Sequence, residues 1–252
     1  MEIDTAIQQY LIDLKETAPR ERVAFDLTVL ARLQEYLEGD PALATARAIR
    51  AADLRGFIRD WYRAGEDVTP ETAQRLVSAV LGWAAWLDRH GVPAADPGPG
   101  EGSSSLTLLT PQLAPLEESL PRAARAAEAL RGYARRDDLS QAIAVEEAAG
   151  GSPLGAISAG VARVVRPAEI DYSRAEEDTF VVAEVADRAL SLFSPARETL
   201  GEGPAVPVRV PPRVARWLRV GDILHGEIAP TSTGWEILHV ETVYPGGLDD
   251  RP

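Results

Sequence analysis

Residues 95 to 105 read ADPGPGEGSSS, a stretch in which Gly, Pro and Ser replace the apolar spacing of the preceding ninety residues. A segment of this composition buries little and supports no regular backbone hydrogen bonding, so it marks a domain boundary and reads as a linker over 92–115. The chain of 252 residues is long enough to hold a core on either side, and its 45% hydrophobic content can supply both.

Four segments before the break carry helical periodicity. Ile7, Leu11 and Leu14 share a face in a helix from about Ile3 to Glu16. Leu27, Leu30, Leu33 and Leu37 form a stripe over about Glu21 to Glu38, and Gly39 stands at the C-terminal cap position. A third helix is predicted over about Ala52 to Arg63, with Leu54, Ile58 and Trp61 inward. The fourth opens with Thr69 as N-cap and Pro70 in the first helical position, buries Leu76, Val80, Trp83 and Leu87, and stops at Gly91.

After the break, 116–150 read as one or two connecting helices, with Leu116, Leu120, Ala127 and Leu130 on one side and an interruption at Asp137 and Asp138. From 155 to 246 the pattern changes to short β-branched runs: Ile157 to Val165, Thr179 to Val185, Ala189 to Phe193, Val206 to Val210, Ile223 to Ile228 and Trp235 to Val243. The segment PPRVARWLRVGD predicts one helical turn and then a tight turn at Gly221 and Asp222. Residues 247–252 are predicted to form a disordered tail. The fold class expected is α+β and multidomain: a four-helix bundle over 1–91, connecting helices, then a small antiparallel β-barrel of OB or SH3 type.

Composition narrows the function. No cysteine is present, which excludes disulfides, thiolate nucleophiles and cysteine-ligated zinc. The formal net charge is −13, so no long-range field draws the chain to phosphate backbones, and a nucleic-acid role must rest on local patches. An acidic N-terminus and the lack of any apolar run near the roughly 18 residues of a membrane span predict a cytoplasmic protein with no membrane partner.

The phrases AIQQYLIDL, VAFDLTVLARLQEYL, RAADLRGFIRDW and TPETAQRLVSAVLGWAAWLDRHG, in that order, make residues 1–91 resemble the N-terminal core-binding domain of tyrosine recombinases and phage integrases. The resemblance implies a SAM-like four-helix fold that clamps DNA from one side. The family's catalytic domain, with its tyrosine nucleophile, has no counterpart here, so strand cleavage is not expected. Glu21 and Leu81 stand near positions where the family often has a threonine and a basic residue.

Two arginine groups are candidate nucleic-acid contacts, because guanidinium forks bind phosphate oxygens bidentately. One comprises Arg47, Arg50, Arg55, Arg59, Arg63 and Arg75, of which Arg55, Arg59 and Arg63 step by four along one helical face. Its alternative reading is a solvated surface paired with Asp53, Asp60 and Glu66, since residues 1–90 hold eleven basic and fifteen acidic side chains, a net of −4. The other comprises Arg209, Arg213, Arg216 and Arg219 around Trp217, with no acid before Asp222. On an OB-type barrel it would suit single-stranded nucleic acid; alternatively Val214, Trp217 and Leu218 are core and the arginines point outward.

His225 and His239 fall on adjacent predicted strands and allow a metal or acid/base site, although spacing places no third ligand. Asp171, Glu176, Glu177 and Asp178 read as a solvated loop before a strand, with cation binding the alternative. No phosphate-cradling glycine motif or nucleophile elbow is present. Catalytic residues, metal ligands and cofactors are accordingly expected to be none. The leading expectation is a non-catalytic DNA-binding or DNA-transaction accessory protein. The alternative is a protein-interaction or scaffolding module built on a degenerate recombinase-like domain.

Overall fold

The computed structural model describes residues 1–40, 43, 45–65, 68–92, 108–148 (side chains to 134), 170–194, 197, 205–232 and 234–248. The fold is α+β, and the chain divides into one unit of Met1–Pro121 with Gly247–Pro252 and a second of Arg122–Gly246. No helix among the described residues is long and apolar enough to cross a membrane.

The first unit is helical: α1 (Ile3–Thr17), α2 (Arg20–Glu38), α3 (Ala51–Ala64), α4 (Pro70–Arg89) and the short α5 (Leu109–Leu113). Thr69 caps α4 by accepting the Thr72 amide at 3.1 Å, with Pro70 next in the chain. Leu76, Val80, Trp83 and Leu87 of α4 are fully buried. On α3 the buried face is Leu54, Phe57, Ile58 and Tyr62, and Trp61 is only half-buried. The buried face of α2 is Asp26, Val29, Leu30, Leu33 and Leu37, so its stripe is rotated from the expected one and Leu27 is 52% exposed.

Helix α5 falls inside the predicted linker. Asp88 at the end of α4 fixes its start, accepting the Leu109 and Thr110 amides at 3.0 and 2.9 Å and the Thr110 hydroxyl at 2.6 Å. These bonds satisfy helix N-terminal donors that otherwise have no acceptor.

Helix α6 (Leu116–Ala148) is continuous through Asp137 and Asp138, where an interruption was expected, and carries Pro121 within it. Its alanines are good helix formers, and two aspartates do not outweigh them. From Arg122 onward α6 belongs to the second unit, where Ala123, Ala126, Ala127 and Leu130, spaced as one helical face, pack into the core.

That core is wrapped by five strands, β1 (Glu176–Val185), β2 (Ala189–Phe193), β3 (Ala205–Arg209), β4 (Ile223–Thr231) and β5 (Gly234–Tyr244), in a mixed sheet closed on itself in the order β1-β2-β3-β5-β4. The short helix α7 (Pro212–Ala215) lies between β3 and β4. The expected first strand, Ile157 to Val165, lies outside the described residues. Phe180, Val182, Leu190, Leu192, Val208, Leu224, Ile237 and Val240 alternate inward to fill the interior.

The expectation of a purely antiparallel sheet is corrected: β3 pairs with β5 in parallel, through Val208 and Trp235. Five strands in a ring cannot alternate direction all the way round, so one seam must be parallel. Two glycines permit the tight geometry. Gly221 (φ +87°) makes the turn before β4, and a Cβ on Gly226, at a register shift of β4, would lie 2.3 Å from the His239 carbonyl oxygen on β5. Gly246–Leu248 form a 3-10 turn with Leu248 buried, so the predicted disordered tail is ordered at 247 and 248, and the rest of it, 249–252, lies outside the described residues.

Candidate nucleic-acid interface

The acid-free run from β3 to the Gly221 turn presents its arginines unequally. Val214 and Leu218 are buried in the core of the second unit, and Trp217 packs against that core half-buried. Their spacing in α7 and the turn after it drives Arg213, Arg216 and Arg219 to the surface. Arg216 lies over the Trp217 ring with its guanidinium carbon 4.8 Å from the centroid, and Arg125 of α6 lies over the same ring at 5.4 Å. With two guanidiniums on the indole, Trp217 holds arginines in place and does not offer an open stacking platform.

Arg219 donates to the carbonyls of Arg216 and Leu218 at 2.8 and 2.9 Å, tying down the turn. Arg209 stands apart on β3. It is exposed, and its charge opposes the effect of burial on Glu236, whose carboxyl is pushed above its ordinary range mainly by desolvation. Around α7 and Trp217, the exposed cationic patch is Arg125, Arg213, Arg216 and Arg219. Arg125 was not singled out from the sequence, because its α6 segment reads as an alanine-rich connector and only the fold brings it to Trp217.

The arginines of the first unit are spread over the segment before α3, α3 itself and α4. Arg47, Arg50 and Arg63 are exposed. The Arg50 amide donates to Asp53 at 2.7 Å, closing the start of α3. Arg55 is half-buried, and Arg59 pairs with Asp60 at 2.9 Å. Arg75 lies on α4 with its guanidinium 4.1 Å over the Phe25 ring.

Beside Arg75, a pocket of about 340 Å³ is lined by residues of the start of α2 and of α4, among them Arg22, Asp26, Arg75 and Ser78. Asp26 is 2% exposed, and the Tyr10 hydroxyl donates to it at 3.3 Å. Arg22 stands 3.8 Å from the same carboxylate oxygen. Burial raises the Asp26 carboxyl above its usual range against the pull of Arg22, and pushes the Tyr10 phenol up to about 12. A carboxylate on the apolar stripe 26, 29/30, 33, 37 was the signal available in the sequence, hidden by the competing leucine pattern that starts at Leu27.

The histidines are not brought together. The β4–β5 register sets His225 opposite Thr242 and His239 opposite Glu227. His225 sits 2.8 Å from the Thr179 hydroxyl and 3.1 Å from that of Tyr244, while His239 is exposed. Of the acidic run expected to be a solvated loop, Asp171 caps the 3-10 turn Tyr172–Arg174 by accepting the Ser173 amide at 3.1 Å, while Glu176, Glu177 and Asp178 open β1, Glu176 pairing with Arg197 at 2.5 Å and Asp178 accepting from the Ser194 hydroxyl. Among the described residues no group of three His, Asp or Glu is placed to hold a metal ion. No family model matches the chain, and no curated protein or solved structure matches it significantly.

Proposed function

We propose that the chain is a non-catalytic, cytoplasmic DNA-binding accessory protein whose second unit is an OB-type nucleic-acid module. The carrying observation is the exposed patch of Arg125, Arg213, Arg216 and Arg219, the last three within a run, residues 203 to 221, that contains no acid. The five-stranded closed sheet, joined at its β3–β5 seam by a single parallel bridge, fits the partly open OB architecture, which is used for single-stranded nucleic acid. In this reading the arginines track phosphates without reading bases, so binding is salt-sensitive and tolerant of sequence. The helical unit would be a core-binding-like module of the recombinase type, kept without the nucleophile domain; this part rests on the sequence phrases alone.

Fluorescence anisotropy of labelled single- and double-stranded DNA, titrated at several salt concentrations, tests the reading. Arg213→Ala, Arg216→Ala and Arg219→Ala combined should weaken binding and flatten the log–log salt slope by about 0.7 per lost phosphate contact on single strands. A protein that binds neither DNA at low salt, or a triple variant with unchanged affinity, rejects it.

A protein-interaction role is the second reading, favoured by Ile12 and Leu27, which are 59% and 52% exposed on α1 and α2 of a unit with excess acid. A strictly monomeric protein that retains no partner would remove it.

A further inference from the structure

The α2–α4 pocket combines features that a merely solvated surface does not require. Arg75 spends the face of its guanidinium on Phe25 and makes no hydrogen bond among the described residues, which leaves its planar fork of donors available. Arg22, half-exposed on the same wall, approaches Asp26 at 3.8 Å and also interacts with the Tyr10 hydroxyl. Ser78 adds a hydroxyl, and Pro19 and Phe25 supply an apolar flank. From these contacts we infer that the pocket is a binding site for a small phosphorylated ligand, with Arg22 and Arg75 gripping the phosphate and Asp26 standing behind as the anion it displaces.

The charge balance selects the kind of ligand. Glu21 also lines the pocket, so Arg22 and Arg75 face two carboxyls, and the helical segment carries a net charge of −4 over residues 1–90. A polyanionic strand would meet that field along its length, whereas a single compact phosphate meets only the two guanidiniums. The volume suits a small organic phosphate, with its non-phosphate part against Phe25 and Pro19. Asp26 faces Tyr10 from α1, Arg22 on its own helix and Arg75 from α4. Burial raises its carboxyl above the usual range against the pull of Arg22. The site is independent of the barrel reading, because the α7 arginines lie in the other unit.

Equilibrium dialysis of the full chain against radiolabelled inorganic phosphate, with phenyl phosphate as competitor, tests the inference. Retention at millimolar phosphate is expected, with tighter competition by phenyl phosphate. Arg75→Ala, at an exposed position, should weaken binding about tenfold or more, and Asp26→Asn should strengthen it. The triple variant in α7 should bind phosphate like the parent. No retained phosphate, or an Arg75→Ala variant that binds as well as the parent, overturns the inference. Displacement of phenyl phosphate by an oligonucleotide lacking a terminal phosphate also overturns it, since the pocket would then read a nucleic-acid backbone.

Discussion

Arg122 holds Asp222 with both guanidinium nitrogens at 2.7 Å, linking α6 to the turn that launches β4. The same arginine donates to the Trp217 carbonyl at 2.6 Å, and Asp222 also accepts the Arg219 amide at 2.8 Å. Both side chains are largely withdrawn from water, so removing either strands a buried charge. Arg122→Ala should cost about 3 to 5 kcal/mol in the second unit, whereas replacing both residues with apolar ones of similar size should cost less. Chemical denaturation followed by tryptophan fluorescence, with the double variant alongside, measures the difference. Because the turn backbone positions Arg216 and Arg219, the single variant should also weaken any DNA binding by the patch.

Asp88 performs a comparable task in the helical unit, where it is the cap of α5. Asp88→Ala should destabilise that unit by about 1 to 2 kcal/mol, the usual cost of losing an N-terminal cap. Amide hydrogen exchange should rise first at residues 108–113, before α4 is affected. Unchanged protection in α5 would mean that Leu109 and Leu113, both buried, hold the helix without the cap.

At Gly226 no side chain fits against β5. Gly226→Ala places a methyl group into the His239 carbonyl, backbone against which nothing can rotate away. The expected loss is about 1 to 3 kcal/mol from the forced backbone shift, read as a lowered Tm of the β unit. Gly132→Ala, with nothing within 4 Å of the added atom and a helical backbone, is the control and should be neutral or stabilising.

The periodicities that carry burial were legible before the fold was known. The β2 bounds are those expected, and Thr69 and Pro70 mark the start of α4 as read. What escaped were features set by tertiary partners. Leu27 fits a leucine repeat as well as Leu30 does, and only packing of Tyr10 against α2 decides that Asp26 takes the inward position. The β3–β5 seam follows from ring closure, which no local window encodes. His225 and His239 looked adjacent because strand membership is readable, while register depends on shifts beside Gly226. Of the candidate site, Arg213, Arg216 and Arg219 were legible as an acid-free run. Arg125 and Arg22 were not, since each gains its role from a residue far away in sequence.

Titration of the Tyr10–Asp26 pair makes the buried acid measurable. Both groups have raised values in the folded state, so folding favours their neutral forms. For Asp26, folding pays no ionisation penalty below the ordinary carboxylate range; the penalty grows as pH rises through the interval up to its folded value and is constant above it. Asp26→Asn, which keeps a carbonyl to accept from Tyr10, should therefore gain stability relative to the parent as pH rises, with the gap closing as the solution is acidified toward the usual aspartate range. Thermal melts of parent and variant across that range show it, and a gap that widens on acidification would mean that the Arg22 contact outweighs burial. Tyr10 acts at the other end. Its phenol ionises at about 12 in the folded protein against 10.0 when exposed, so stability should fall as pH rises above 10, by about 2 to 3 kcal/mol at full ionisation. Tyr10→Phe removes that alkaline loss, and phenolate absorbance should show one tyrosine fewer titrating near pH 12.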